Sequence, residues 1–181
     1  MSDYIFNEVE RVLRKYQTRN PYELLDYLDA ELRISYDHAK NGLKGYSAVM
    51  HRFKYVVVNG RLNEYEQRVV AGHEAAHLII HMDELMKSPA KMLKDFCLWD
   101  DSGKLERQAN LFTADFMLDD DDVLDAVRAK VIDEDRDFFN TARELCVPSP
   151  LLAFKLHSMM RRGYDVRPPV ELESRFLRGG I

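Results

Sequence analysis

The residues best placed to do chemistry lie in Val69–Met82, which reads VVAGHEAAHLIIHM. His73, Glu74 and His77 form the pattern H-E-x-x-H. On an α-helix, positions i and i+4 share a face about one turn apart. Two imidazoles so placed can bind one metal ion. Glu74 stands about 100° round the helix axis from His73. From there its carboxylate can act as general base on the metal's water without becoming a ligand. This is the spacing of zinc peptidases. The pattern also arises by chance, and two histidines can simply be satisfied in a core. Context has to decide.

The surrounding residues favour a helix with the histidines turned inward. Asn63 is a good N-cap, and Asn63-Glu64-Tyr65-Glu66 has the form of a capping box. From there to about Glu84 there is no proline and one glycine. Tyr65, Val69, Ala76 and Ile80 keep helical spacing, with His73 and His77 on or beside that stripe.

The elements that must position this helix are read from composition and pattern. The chain has 181 residues, 46% of them hydrophobic and 31% charged. That is the composition of an ordinary globular domain. A net charge of −5 argues against a general nucleic-acid-binding surface. Cys97 and Cys146 form no C-x-x-C pair and suggest no disulfide framework. The N-terminus, MSDYIFNEVERVLRK, has acidic residues where a signal peptide would have its apolar core. No apolar run approaches a membrane span. The expectation is a cytoplasmic protein with a regulatory rather than a digestive role.

In chain order, Tyr4–Tyr16 reads as an amphipathic helix. Asn20-Pro21 stops it and starts another, with Tyr22, Leu25, Leu28 and Leu32 at helical spacing. Residues 32–36 alternate and read as a short strand. Tyr46–Met50 and Arg52–Asn59 are two more strands, so a small sheet precedes the motif helix. Met86–Trp99 reads as a loop with a short helix over the site, and Asp100–Gly103 as a turn. Leu105–Leu118 is helical again. Asp119–Asp122 is a run of four acids, read as a solvated helix start rather than a calcium site. Val123–Val131, Asp137–Leu145 and Leu151–Arg161 are further helices, the last with Ser149 as N-cap and Pro150 at its first position. The expected organisation is one domain over 1–165. It has a helical part at about 1–31, a core at about 32–118 and a helical part at about 119–165. A tail follows at 166–181.

A catalytic zinc needs a third protein ligand. Glu106 begins the second long helix and shares a face with Ala109, Asn110 and Thr113. A helix packed on the motif helix could aim that carboxylate at the metal. His81 extends the histidine series, but positions i and i+8 are about 12 Å apart and do not wrap one ion. It is expected to be a supporting or structural residue. Cys97 is near in sequence, but thiolates are commoner in closed structural sites. Glu106 is the better choice.

These residues resemble the ImmA/IrrE family of metallopeptidases, from about Gly45 to Tyr164. The resemblance rests on Val57-Val58-Asn59, on Arg68 through His81, and on Glu106-Arg107-Gln108-Ala109-Asn110-Leu111-Phe112 through Leu118. The family's second segment is E-x-x-A-N-x-F-A-A-x-L-L-M-P, and its Glu ligates zinc, which matches Glu106. Cys146-Val147-Pro148-Ser149 through Phe154-Lys155-Leu156 resembles a later V-S-x-x-A-x-x-R-L stretch. Ala76 departs from a frequent Gly, Thr113 from an Ala and Asp119 from a Pro. None of these touches a ligand or the base, and the last bears on how the second helix ends. The resemblance implies an α+β, mostly helical fold. It would have a zincin-like core, a small β-sheet before the H-E-x-x-H helix and a helical C-terminal part. It also implies members in phages and mobile elements that act on a helix-turn-helix repressor.

Two functions follow from this reading. The first is a zinc-dependent endopeptidase that cleaves a partner repressor. Zn2+ would sit on His73, His77 and Glu106, Glu74 would be the base, and His51, Tyr46 and Arg107 are candidate oxyanion stabilisers. The second is a non-catalytic regulator that holds a repressor or DNA with a structural metal. Its last two helices would mimic a helix-turn-helix, with Lys155, Arg161 and Arg162 as basic contacts.

Overall fold

The motif helix forms where its capping residues place it. In the computed structural model α3 spans Glu64–Ile80, and Asn63 and Glu66 close the capping box. The Asn63 side chain accepts from Glu66 N at 2.9 Å, and Asn63 N donates to the Glu66 carboxylate at 3.1 Å. The structure describes residues 2–39, 42–95, 103–128 and 134–166.

Before α3 come α1 (Ser2–Tyr16), α2 (Pro21–Tyr27), β1 (Ala30–Ser35), β2 (Gly45–Met50) and β3 (Phe53–Asn59). After it come α4 (Met82–Lys87), β4 (Met92–Asp95), α5 (Lys104–Met117), α6 (Asp120–Arg128), α7 (Glu134–Glu144) and α8 (Ser149–Arg161). The strands form one sheet in the order β1-β3-β2-β4. β1 runs parallel to β3, and β2 is antiparallel to both β3 and β4. The fold is α+β and mostly helical, as expected.

α3 lies between the sheet and α5. It packs on β2 and β3 on one side and on α5 on another, and α5 in turn packs on α1 and α8. Val56, Val58, Val70, Ala71, Ala75, Phe112, Phe116, Leu152 and Phe154 are among the residues of one buried apolar cluster. A buried Val, Leu or Phe side chain contributes about 1.5–3 kcal/mol. Asn59, at the end of β3, ties the loops to this core. Its amide nitrogen donates to Ala39 O and Leu43 O, both at 2.9 Å, and its oxygen accepts from Arg61 N at 2.9 Å.

Several boundaries differ from the sequence reading. α2 ends at Tyr27, because Asp29 turns left-handed (φ 53) and Ala30–Ser35 is drawn into parallel pairing with β3. His51 and Arg52 form the hairpin turn between β2 and β3, both with positive φ, so β3 starts at Phe53. α3 stops at His81, whose backbone leaves the helix at φ −125 and ψ 23, and α4 restarts from it. β4 stands where a loop and short helix were expected, and pairing with β2 makes it extended. Ser149 is the first residue of α8 rather than its N-cap; Pro148 holds that place. The expectations for 96–102, 129–133 and the tail from 167 lie outside the described residues, and Cys97 with them.

The acidic run has a structural role. Asp119 accepts from Asp121 N at 2.9 Å, which caps α6. It also pairs with Arg19 at 2.7 Å, while Arg19 donates to the end carbonyls Asp115 O and Phe116 O of α5. The exit of α5 is thus secured by Asp119 and Arg19.

Candidate metal centre

The site is made by close approach of two helices. A Cβ on Gly72 would lie 3.1 Å from Thr113 Cγ2 and 3.2 Å from Met117 Sδ, so glycine lets α5 settle onto α3. Thr113 folds its hydroxyl onto Ala109 O at 2.7 Å and presents its methyl there.

That approach brings Glu106 to the histidines. His73 Nε2 lies 2.9 Å from Glu106 Oε2, and His77 Nε2 lies 3.7 Å from Glu106 Oε1. The two Nε2 atoms are 3.1 Å apart. One donor atom from each of His73, His77 and Glu106 fits within a mutual separation of 4.8 Å. The histidines are fully buried, whereas the Glu106 side chain is 27% exposed, so solvent meets the cluster on the α5 side. Two imidazoles and a carboxylate are a donor set that suits zinc, so these residues fit the ion.

Charge follows this arrangement. Burial pushes His77 down to about 4, against the opposing hydrogen bond from Glu106. The ring is therefore neutral at pH 7 and can offer a lone pair. Burial alone would raise Glu106, but hydrogen bonds and charge from His73 and His77 outweigh it and hold the carboxyl well below its usual range.

Glu74 is buried on α3. Its Oε1 lies 3.0 Å from where a Cβ on Gly45 would stand, so the carboxylate rests on the first residue of β2. His81 contributes no atom to the cluster. It packs behind His77, Nδ1 to Nδ1 at 2.9 Å, with its Nε2 3.1 Å from Gln108 Oε1. Asn110 Oδ1 lies 3.0 Å from His73 Nδ1. The supporting roles of Asn110 and Gln108 were missed in the sequence. The available signal was their place at four and two positions after Glu106 on the helix that faces the histidines.

The other candidates are not gathered here. His51 is an exposed residue at the hairpin tip. It stands beyond the far end of β2 from Gly45, about 20 Å along the strand from Glu74's contact. Tyr46 follows Gly45 and so faces the opposite side of the sheet. Arg107 acts on His157 of α8, whose pKa is lowered first by burial and then by Arg107 and Arg161. Lys155 is 1% exposed and pairs with Asp115 at 3.2 Å. Arg162 is bound to Asp120. Neither of these two cations is presented to a nucleic-acid phosphate.

A histidine pair one turn apart, a glutamate beside the first and a carboxylate from a facing helix make up the pattern of H-E-x-x-H metallopeptidases. A peptidase family model described as the IrrE N-terminal-like domain matches residues 26–157, and the chain belongs to that family. The "Uncharacterized immunity region protein 2" of Bacillus phage phi105 is 30% identical over 112 residues. That match covers 62% of this chain and 66% of the relative. Among the described residues no helix is long and apolar enough to cross a membrane.

Proposed function

We propose that this protein is a zinc-dependent endopeptidase that cleaves a partner regulatory protein, a helix-turn-helix repressor of a phage or mobile element, in the cytoplasm. The observation that carries the reading is the convergence of His73, His77 and Glu106 from two helices, with Glu74 next to the first histidine. Membership in a peptidase family supports the reaction class. A relative from a phage immunity region supports the regulatory setting.

His73, His77 and Glu106 would hold the zinc. When bound, zinc supplies Lewis-acid polarisation of the scissile carbonyl and lowers the pKa of water. Glu74 accepts the proton of the attacking water and returns it to the leaving amine. Gly45 gives that carboxylate its resting surface. The substrate binds as an extended segment. β4 is an edge of the sheet among the described residues, and its Asp95 pairs with the same Gly45. A strand added to β4 would run roughly 10 Å from Gly45.

Glu74→Gln tests the mechanism. Gln keeps the size of Glu but cannot take a proton at neutral pH. The variant should keep its fold and zinc and still bind the repressor, while cleavage falls by roughly 10²–10⁴-fold. Zinc content and fragment mass spectrometry, with the repressor encoded beside the gene as substrate, read both arms. A regulator that works by binding alone would keep full biological activity. Cleavage at the wild-type rate, with zinc present, would sink the mechanism.

A further inference from the structure

A histidine can offer Nε2 to a metal only if its ring proton sits on Nδ1. What lies behind each ring therefore matters as much as what lies in front. Behind His73 is Asn110 Oδ1, at 3.0 Å from Nδ1. An amide oxygen only accepts. Glu106 is an acceptor on the other side of the ring, at 2.9 Å from Nε2. With a metal between Nε2 and Glu106, His73 would carry its proton on Nδ1, toward Asn110, and offer the Nε2 lone pair to the ion.

Behind His77 the partner is ambiguous by itself. His81 Nδ1 lies 2.9 Å from His77 Nδ1, and either nitrogen could donate. The next link removes the ambiguity. His81 Nε2 lies 3.1 Å from Gln108 Oε1, again an acceptor only. A neutral His81 must put its proton on Nε2, so its Nδ1 accepts. The proton between the two rings then belongs to His77 Nδ1, and His77 Nε2, on the side of His73 and Glu106, keeps its lone pair for a metal. Turning the Gln108 amide over would reverse the chain. His81 would donate to His77, and His77 would carry its proton on Nε2, where a ligand needs a lone pair.

A separate observation concerns Asn110. The residue is 1% exposed, and its buried Nδ2 has no hydrogen-bond partner among the described residues. A buried amide with one end unsatisfied is unfavourable for folding. Among the described residues its side chain makes one hydrogen-bond contact, from Oδ1 to His73 Nδ1. The position is explained by that oxygen.

We infer that Asn110 and the His81–Gln108 pair are positioning residues that hold His73 and His77 in the Nδ1–H tautomer, so that both Nε2 lone pairs are presented to the metal. The inference rests on the reading that these histidines ligate zinc, and it assigns a task to three buried polar side chains on α5 and at the end of α3.

The test uses the full chain loaded with zinc and nitrogen-15 NMR of the imidazoles. His73 and His77 should show protonated Nδ1 and metal-shifted Nε2, and His81 should show protonated Nε2 and bare Nδ1. A proton on His81 Nδ1, or ligation through His77 Nδ1, overturns the inference with no variant needed. Chelator competition adds a second readout. Asn110→Leu and Gln108→Leu should each weaken zinc binding by roughly 10–100-fold. Asn110→Asp keeps an acceptor in the same place and should hold zinc near the wild-type affinity. Equal loss in the Leu and Asp variants would point to packing and overturn the role. His73→Ala and His77→Ala separate this inference from the metal reading. If both keep zinc, the metal reading itself fails. If both lose it while the Leu variants bind normally, the metal reading stands and the positioning role falls.

Discussion

At the scale of single residues, burial sets how the site responds to acid. His77 is pushed down to about 4 chiefly by burial, and His81 and His157 are lowered by the same cause. In the unfolded chain these rings titrate near about 6.5. Between that value and about 4, the unfolded state binds protons that folded His77 refuses. Stability must then fall as the pH drops through this window. Glu106 acts lower down. Its depressed carboxyl contributes stability above the ordinary carboxylate range, which is lost on further acidification. Urea unfolding of the chelator-treated protein should give a midpoint that declines from pH 7 to pH 4.5 and declines less in His77→Leu. A flat midpoint across that range would contradict the burial argument. His73, Glu74 and His77 were legible in the sequence because their spacing is local and sits within a capped helix. Glu106 was legible only as a better choice than His81 and Cys97, supported by the family resemblance. Asn110 and Gln108 were not, because an amide's role depends on which helix it meets.

At the scale of elements, the sheet meets the motif helix at one glycine. A Cβ on Gly45 would stand 2.5 Å from Val70 Cγ1 and 3.0 Å from both Glu74 Oε1 and Val57 O. Val57 O belongs to the backbone of β3 and cannot give way. Gly45→Ala must therefore push β2 and α3 apart or displace the Glu74 carboxylate. The expected cost is about 1–3 kcal/mol of stability, as for overpacking elsewhere. Cleavage should fall while zinc content is kept, since His73, His77 and Glu106 are not touched. A thermal melt, a zinc assay and the repressor digest measure the three effects; wild-type stability with wild-type cleavage would show that the contact has slack. The sequence reading began this strand at Tyr46 and left Gly45 outside it. Strands carry their meaning in pairing, and pairing is not local. β4 was unreadable for the same reason, since a short edge strand takes its form from β2. The two-residue turn at His51-Arg52 also escaped notice, because neither residue is a usual choice for positive φ.

At the scale of the molecule, the C-terminal helices are attached to the site helix by buried charge. Lys155 of α8 pairs with Asp115 of α5 at 3.2 Å, and Ser158 donates to the same carboxylate at 2.6 Å. Asp120, at the start of α6, binds Lys155 and Arg162. Its own burial would raise its pKa, but these two cations hold it well below the usual range. The sequence offered Lys155 and Arg162 as contacts for DNA, because a basic residue on a short terminal helix reads that way when its partners are 40 residues distant. The two views predict different things for one substitution. If Lys155 met phosphate, Lys155→Met would leave the fold intact and reduce DNA affinity and its salt slope. As a buried partner, its loss leaves Asp115 with Ser158 and Arg162 and takes one of two cations from Asp120, at a cost of up to about 3–5 kcal/mol. Removing both charges, as in Lys155→Met with Asp115→Leu, should recover part of that loss, since an apolar pair needs no partner and Asp120 keeps Arg162. Denaturant unfolding of the two variants decides it. A single variant as stable as wild type would mean that α8 is not locked by this pair and would return Lys155 to the surface.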